Sequence, residues 1–259
     1  MKRAYYILLA MALLCVACNF KLKPSEDEEH ASRIEVQRYD RLESRYLTTG
    51  DFSALQQMNT DYPMETRMLI EDMMKLGQVN DPEINSKFLR FFQDTLLQTI
   101  ILDAEAEFAN MKDINQELDK AVTQLEKMLP GIKIPTFYAQ ISALNQSIVV
   151  GEHTVGISLD KYLGESYQPY MRFYSDEQRR TMTRRFIVPD VISFYLLSLY
   201  PLKNYEEASQ EERDIHMGRV MWVTNKALGH QFFKTPFTAK ADQYMKQHPK
   251  TSIKTLLSS

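Results

Sequence analysis

The sequence predicts an α+β fold, predominantly helical with a small mixed sheet, and three observations carry that prediction. Apolar residues recur at three- and four-residue spacing from Asp51 to about Met128 and again beyond Val188, as the buried stripes of helices require. Between these blocks, Ile132 to Ser142 and "SIVVGEHTVGISLDKYLG" (Ser147 to Gly164) are short, rich in β-branched residues and punctuated by a turn, as strands are. The composition, 44% hydrophobic and 25% charged, is ordinary for a globular chain and sufficient for a real core.

The chain opens with "MKRAYYILLAMALLCVAC", a basic start, an apolar run and a cysteine. The run is too short for a transmembrane span, which needs roughly 20 apolar residues, and reads as a signal peptide over residues 1–17. Ala17 before Cys18 resembles a bacterial lipobox, although Cys15 stands where leucine is usual. Cys18 is then the lipidation site, carrying acyl chains such as palmitate, and the protein hangs from a membrane by lipid. Residues 18–33 are polar, with Pro24 and an acidic block from Glu26 to Glu29, and read as a flexible tether. Residues 34–259 are expected to form a single domain.

Within that domain, Ile34 to Glu43 alternates like a half-buried strand. The helical block that follows is marked by Gly77, which suits a left-handed helix end, by Asp81-Pro82, which can open the next helix, and by Pro130-Gly131. Ile132 to Ser142 supplies a strand; Ser147 to Val150 and Thr154 to Leu159 form a hairpin around Gly151-Glu152-His153. Helical pattern resumes at Ser175, a plausible N-cap for "SDEQRRTMTRRF". Val188 to Pro201 is the most apolar helix, with Pro189 in its first turn. Further helical runs lie around "EEASQEERDIHMGRVMWVTNKALG" and "FTAKADQYMKQH", before a short apolar tail, "SIKTLL".

Composition also excludes chemistry. The formal charge is −3, and removal of Lys2 and Arg3 with the leader makes it more negative, so nothing favours nucleic-acid binding. Both cysteines lie in the leader region, so the body has no disulfide, no cysteine nucleophile and no thiolate ligand. A metallopeptidase helix needs two histidines four apart beside a glutamate, and the five histidines contain no such pair. His216 and His230 read as ordinary surface or capping residues. Glu152, His153 and Asp160 could be gathered into an unconventional hydrolytic site with a metal or an activated water.

Five stretches occur in order: "VQRYDRLE", "YPMETRMLIEDMMKLG", "SIVVGEHTVGISLDKYLG" followed by "YQPY", "RRFIVPDVISFYLLSLYP" and "YMKQHPKTSIKTLL". Together they resemble the gliding-motility lipoprotein GldB family of Bacteroidetes, from about Ile34 onward. The resemblance implies a zincin-like architecture, with Gly156 to Gly164 bordering a cleft and Val188 to Leu199 on the helix that carries H-E-x-x-H in peptidases. That helix here offers Pro189, Asp190, Ser193 and Tyr195 and no histidine. The implied protein is a degenerate peptidase with no catalytic residue, metal or cofactor. It would be a lipid-anchored cell-envelope protein, on the periplasmic face of the outer membrane, that binds or assembles other envelope proteins. Glu152, His153, Asp160, Tyr162, Tyr167 and Asp190 are the candidate cleft residues. A metal-dependent peptidase-like hydrolase is the alternative.

Overall fold

The computed structural model describes residues 32–258, so the leader, Cys18 and all but the end of the tether lie outside the described residues. Ile34–Ser259 form one compact unit. Its order is α1 (Tyr39–Thr49), α2 (Phe52–Asp61), α3 (Pro63–Arg67) running into a π-helical turn (Met68–Met73), α4 (Ile84–Phe91), α5 (Thr95–Glu107) and α6 (Lys112–Met128). Then come β1 (Thr136–Gln140), β2 (Ile148–Val150) and β3 (Thr154–Ser158), with 3-10 turns at Leu159–Lys161 and Gln168–Arg172. After α7 (Asp176–Arg179) and a 3-10 turn at Arg184–Phe186 follow α8 (Ile187–Leu199), α9 (Gln210–Leu228), α10 (Pro236–Gln247) and α11 (Ile253–Ser258). The architecture is α+β and predominantly helical.

The sheet is mixed, in the order β1-β3-β2. β3 pairs in parallel with β1 and antiparallel with β2. Both faces of β3 are enclosed, because Val155, Ile157 and Ser158 are all buried. Tyr138 stands opposite Gly156, and a Cβ at Gly156 would lie 2.6 Å from the Tyr138 ring, so the tyrosine fills the space that only glycine leaves. Tyr39 of α1 meets that ring edge-on at 6.1 Å, which places α1 on the Tyr138 face of the sheet. Beneath the same region Glu43 accepts the Ile141 N–H at 2.8 Å, tying α1 to the end of β1.

Helix ends follow their sequence signals where the cap is local. Asp94 caps α5 through the N–H groups of Leu96 and Leu97, and Ser175, Ser209 and Thr235 each form capping boxes. α9 and α10 cross at Gly218, where a Cβ would sit on Phe237 and 2.7 Å from its carbonyl carbon. α8 packs against β2, β3, α6 and α9, in the middle of the molecule.

Four local expectations are corrected. Ile34 to Glu43 is not a strand: only Gln37 pairs, as an isolated parallel bridge to Tyr138, and helix begins at Tyr39. Arg38 and Asp40 form a tight ion pair at 2.7 Å that turns the chain into α1, so the apparent alternation spans a bridge and a helix start. Gly77 does not close a helix, because the π-helical turn has already ended at Met73 and the left-handed residue is Lys75. Asp81 does not cap directly but accepts the Glu83 N–H, and α4 starts at Ile84. The run after Ser175 makes a single helical turn, after which Thr183 pairs with Leu163 in an antiparallel bridge.

Candidate functional site

Two cavities lie at opposite ends of one pair of elements, β2 and α8. The smaller, about 200 Å³, is lined by Ser147 just before β2 and by Asp190 in the first turn of α8, with Lys161, Tyr162, Tyr174 and Met182 among its other walls. The larger, about 690 Å³, is lined by Val150 and Gly151 at the other end of β2 and by Tyr195, Ser198 and Leu199 at the other end of α8. β2 and α8 therefore run side by side in the same direction. Ser147 to Val150 covers about 10 Å of strand, and Asp190 to Ser198 about 12 Å of helix. Phe194, 42% exposed, stands on the helix between the two cavities.

The outer edge of β2 lies between the two cavities. The bonds from Gly151 N to the Thr154 carbonyl and from Ser158 N to the Ser147 carbonyl show that Ser147 and Gly151 turn their backbone groups toward β3. By antiparallel alternation, Ile148 and Val150 turn theirs away. No further strand pairs with that edge among the described residues, whereas the outer edge of β1 is occupied by Gln37. An extended segment could add to β2 by main-chain hydrogen bonds while α8 supplies the floor.

Asp190 and Tyr162 are brought together across 28 positions of sequence. The Tyr162 hydroxyl donates to Asp190 Oδ2 at 2.8 Å. Burial pushes the Asp190 carboxyl up to about 7, and the Tyr162 hydrogen bond pulls in the opposite direction. Tyr162 itself is held far above its ordinary value by burial and by the Asp190 charge.

The remaining predicted residues are placed elsewhere. Asp160 is fully enclosed. Its carboxylate accepts Ser142 N at 2.9 Å and Leu144 N at 2.6 Å, and the Ser142 hydroxyl at 3.3 Å. Those donors belong to a turn in which Ala143 and Leu144 have φ of 52° and 62°, a conformation that costs a non-glycine residue energy unless it is held. Asp160 holds it. Burial nevertheless raises the Asp160 carboxyl above its ordinary value, against the pull of those donors. Tyr170 donates to the Asp160 carbonyl and accepts Leu163 N, and Tyr167 donates to Asp103 of α5 at 2.7 Å. The "LDKYLG" and "YQPY" stretches thus form a knot of turns behind the sheet.

Glu152 and His153 project from the hairpin tip, with their side chains 90% and 73% exposed and 3.6 Å apart. They border the larger cavity. Asp160 lies at the far end of β3 from them, so the three do not converge on one reacting atom. Among the described residues no group of three or more His, Cys, Asp or Glu is arranged to hold a metal ion. His216 is buried rather than at the surface, and burial pushes its imidazole below the ordinary value; His230 is exposed and contacts the Leu228 carbonyl.

Sequence reasoning missed the lysine of this region. Lys161 donates to the Tyr174 hydroxyl at 2.8 Å and to the Leu144 carbonyl at 3.3 Å, and its ammonium lies 4.3 Å from the Tyr174 ring centre. Burial lowers its pKa, opposed by the Asp160 charge. Nothing in its sequence context marks that role except the neighbouring aspartate.

Taken together, these elements define an α+β protein with two separate cavities, one at each end of β2 and α8. The chain matches the family described as gliding motility protein GldB over residues 21–235, and it belongs to that family. No curated protein and no solved structure matches it. Among the described residues no helix is long and apolar enough to cross a membrane.

Proposed function

We propose that this GldB-family protein is a non-catalytic, lipid-anchored component of cell-envelope machinery that seats an extended segment of another envelope protein in the β2–α8 groove. Family membership supports a gliding-related role. The leader ending at Ala17, just before Cys18, supports attachment by lipid; in this reading the anchor sits on the periplasmic face of the outer membrane. The observation that carries the binding reading is the pair of cavities at the two ends of β2 and α8, with a sheet edge unpaired among the described residues and the exposed Phe194 between them. Sheet edges bind by adding a strand, and flanking pockets take its side chains. The zincin-like reading rests on the sequence resemblance alone.

Photo-crosslinking in cells tests this. A photoreactive residue at Phe194 or Ser198 should capture a discrete envelope protein, whereas one at Phe52 on α2, exposed but away from both cavities, should not. Equal capture from all three positions would exclude the groove as the seat.

The hydrolytic alternative has one observation in its favour, a carboxyl raised to about 7 inside a cavity. It predicts that Asp190→Asn abolishes cleavage of an envelope peptide by the purified chain. Retained cleavage, or none in the unaltered protein, removes it.

A further inference from the structure

We propose that the pocket at Asp190 receives a primary ammonium group, presented by the chain that lies in the groove; this rests on the groove reading above. The inference begins with what Asp190 lacks. Its Oδ2 accepts from Tyr162, while Oδ1 has no hydrogen-bond partner and the carboxylate no counter-cation among the described residues. The other enclosed acids are provided for or sealed. Asp40 pairs with Arg38, Asp160 is wrapped by backbone donors, and Glu43 lies in the interior on the Ile141 N–H. Asp190, unlike these three, lines a described cavity.

The walls narrow the class of ligand. At about 200 Å³ the cavity is smaller than the roughly 300–1,000 Å³ typical of sites for drug-sized molecules, so it suits one slender group rather than a ring system. Tyr162, Tyr174 and Met182 offer apolar surface to a methylene stem, and Ser147, Gln178 and Thr181 are the other polar residues of its walls. An ammonium has three donors and needs only single oxygens. A guanidinium recognises both oxygens of a carboxylate at once, and Tyr162 already occupies one of them. Lys161 is the cation native to this pocket, but Tyr174 and the Leu144 carbonyl hold it, and the acid whose charge it feels is Asp160. Asp190, Lys161, Tyr162 and Tyr174 are the titratable groups that line the cavity.

A lysine side chain or a free chain terminus could supply the ammonium, and the test separates them. The full-length chain, with its aspartates carrying carbon-13 at the carboxyl, is titrated in detergent with n-pentylamine or its neutral counterpart n-pentanol. Pentylammonium should lower the titration midpoint of Asp190 from about 7 by one pH unit or more, a tenfold fall in proton affinity, while pentanol leaves it in place. Two short peptides then follow, one N-acetylated with a single lysine, the other without lysine but with a free N-terminus. The peptide that reproduces the shift names the source. Identical behaviour of amine and alcohol overturns the ammonium site, and a shift with the amine but with neither peptide overturns presentation by a partner chain. Crosslinks from Phe194 and Ser198 report on the groove independently, so either failure can be told from failure of the groove itself.

Discussion

The Tyr162 hydroxyl donates to Asp190 Oδ2 over 2.8 Å, joining the turn after β3 to the first turn of α8. This bond works against burial, the larger influence on the carboxyl. Tyr162→Phe should therefore raise the Asp190 midpoint above about 7, read from its carboxyl carbon resonance. An unchanged or lower midpoint would mean that the hydroxyl does not favour the ionised form.

The same carboxyl makes stability depend on pH. A folded-state value of about 7 against an ordinary 3.8 means that the folded chain binds the proton more tightly. Its contribution is full below the unfolded value and is lost as pH rises through the folded one. Asp190→Asn should remove a decline of at most about 1.4 kcal/mol per pH unit between roughly pH 4 and 7. Denaturant unfolding of both chains across that range checks it; parallel curves would contradict it.

Glu43 should show the same sign. Burial lifts its carboxyl well above the usual range, and Oε1 is enclosed without a partner. Glu43→Gln keeps the shape and cannot ionise. Its stability should gain on the parent as pH rises above the ordinary glutamate range, with a slope approaching about 1.4 kcal/mol per pH unit.

Asp160→Ala should destabilise the fold by about 3 kcal/mol or more, because it strands Ser142 N and Leu144 N and releases a left-handed turn. Asp160→Asn, which retains one acceptor oxygen, should fall between. Equilibrium denaturation measures both, and equal losses would show that the single oxygen retained by asparagine contributes nothing.

At Gly218, alanine is the better helix former by about 1 kcal/mol, yet its Cβ would meet the Phe237 backbone, which cannot swing aside. Overpacking of this kind costs about 1–3 kcal/mol, so Gly218→Ala should be net destabilising. A rise in melting temperature would show that α10 can shift at no cost.

Much of the helical framework was legible because its signals are local: apolar spacing in α5, α6 and α8, and the side-chain cap at Ser175. The hairpin was legible for the same reason, with strands on either side of Gly151-Glu152-His153. The start of the domain was not, since alternation from Ile34 to Asp40 cannot reveal that Gln37 alone meets β1 before the chain coils. Of the candidate residues, Asp190 and Tyr162 are joined as a pair, but their contact depends on how α8 crosses the sheet, which no local pattern encodes. The acids that drew attention first, Glu152 and Asp160, stand at opposite ends of β3, one in solvent and one in the core.

The enclosed Asp160 has a consequence for genetics. A screen for loss of function will return this aspartate with the severity of a catalytic residue, since its replacement lowers the amount of folded protein reaching the envelope. Phe194, touching no reacting group and exposed on α8, should instead lose function at normal abundance. Protein level measured beside phenotype distinguishes the two and keeps a structural acid from being mistaken for chemistry.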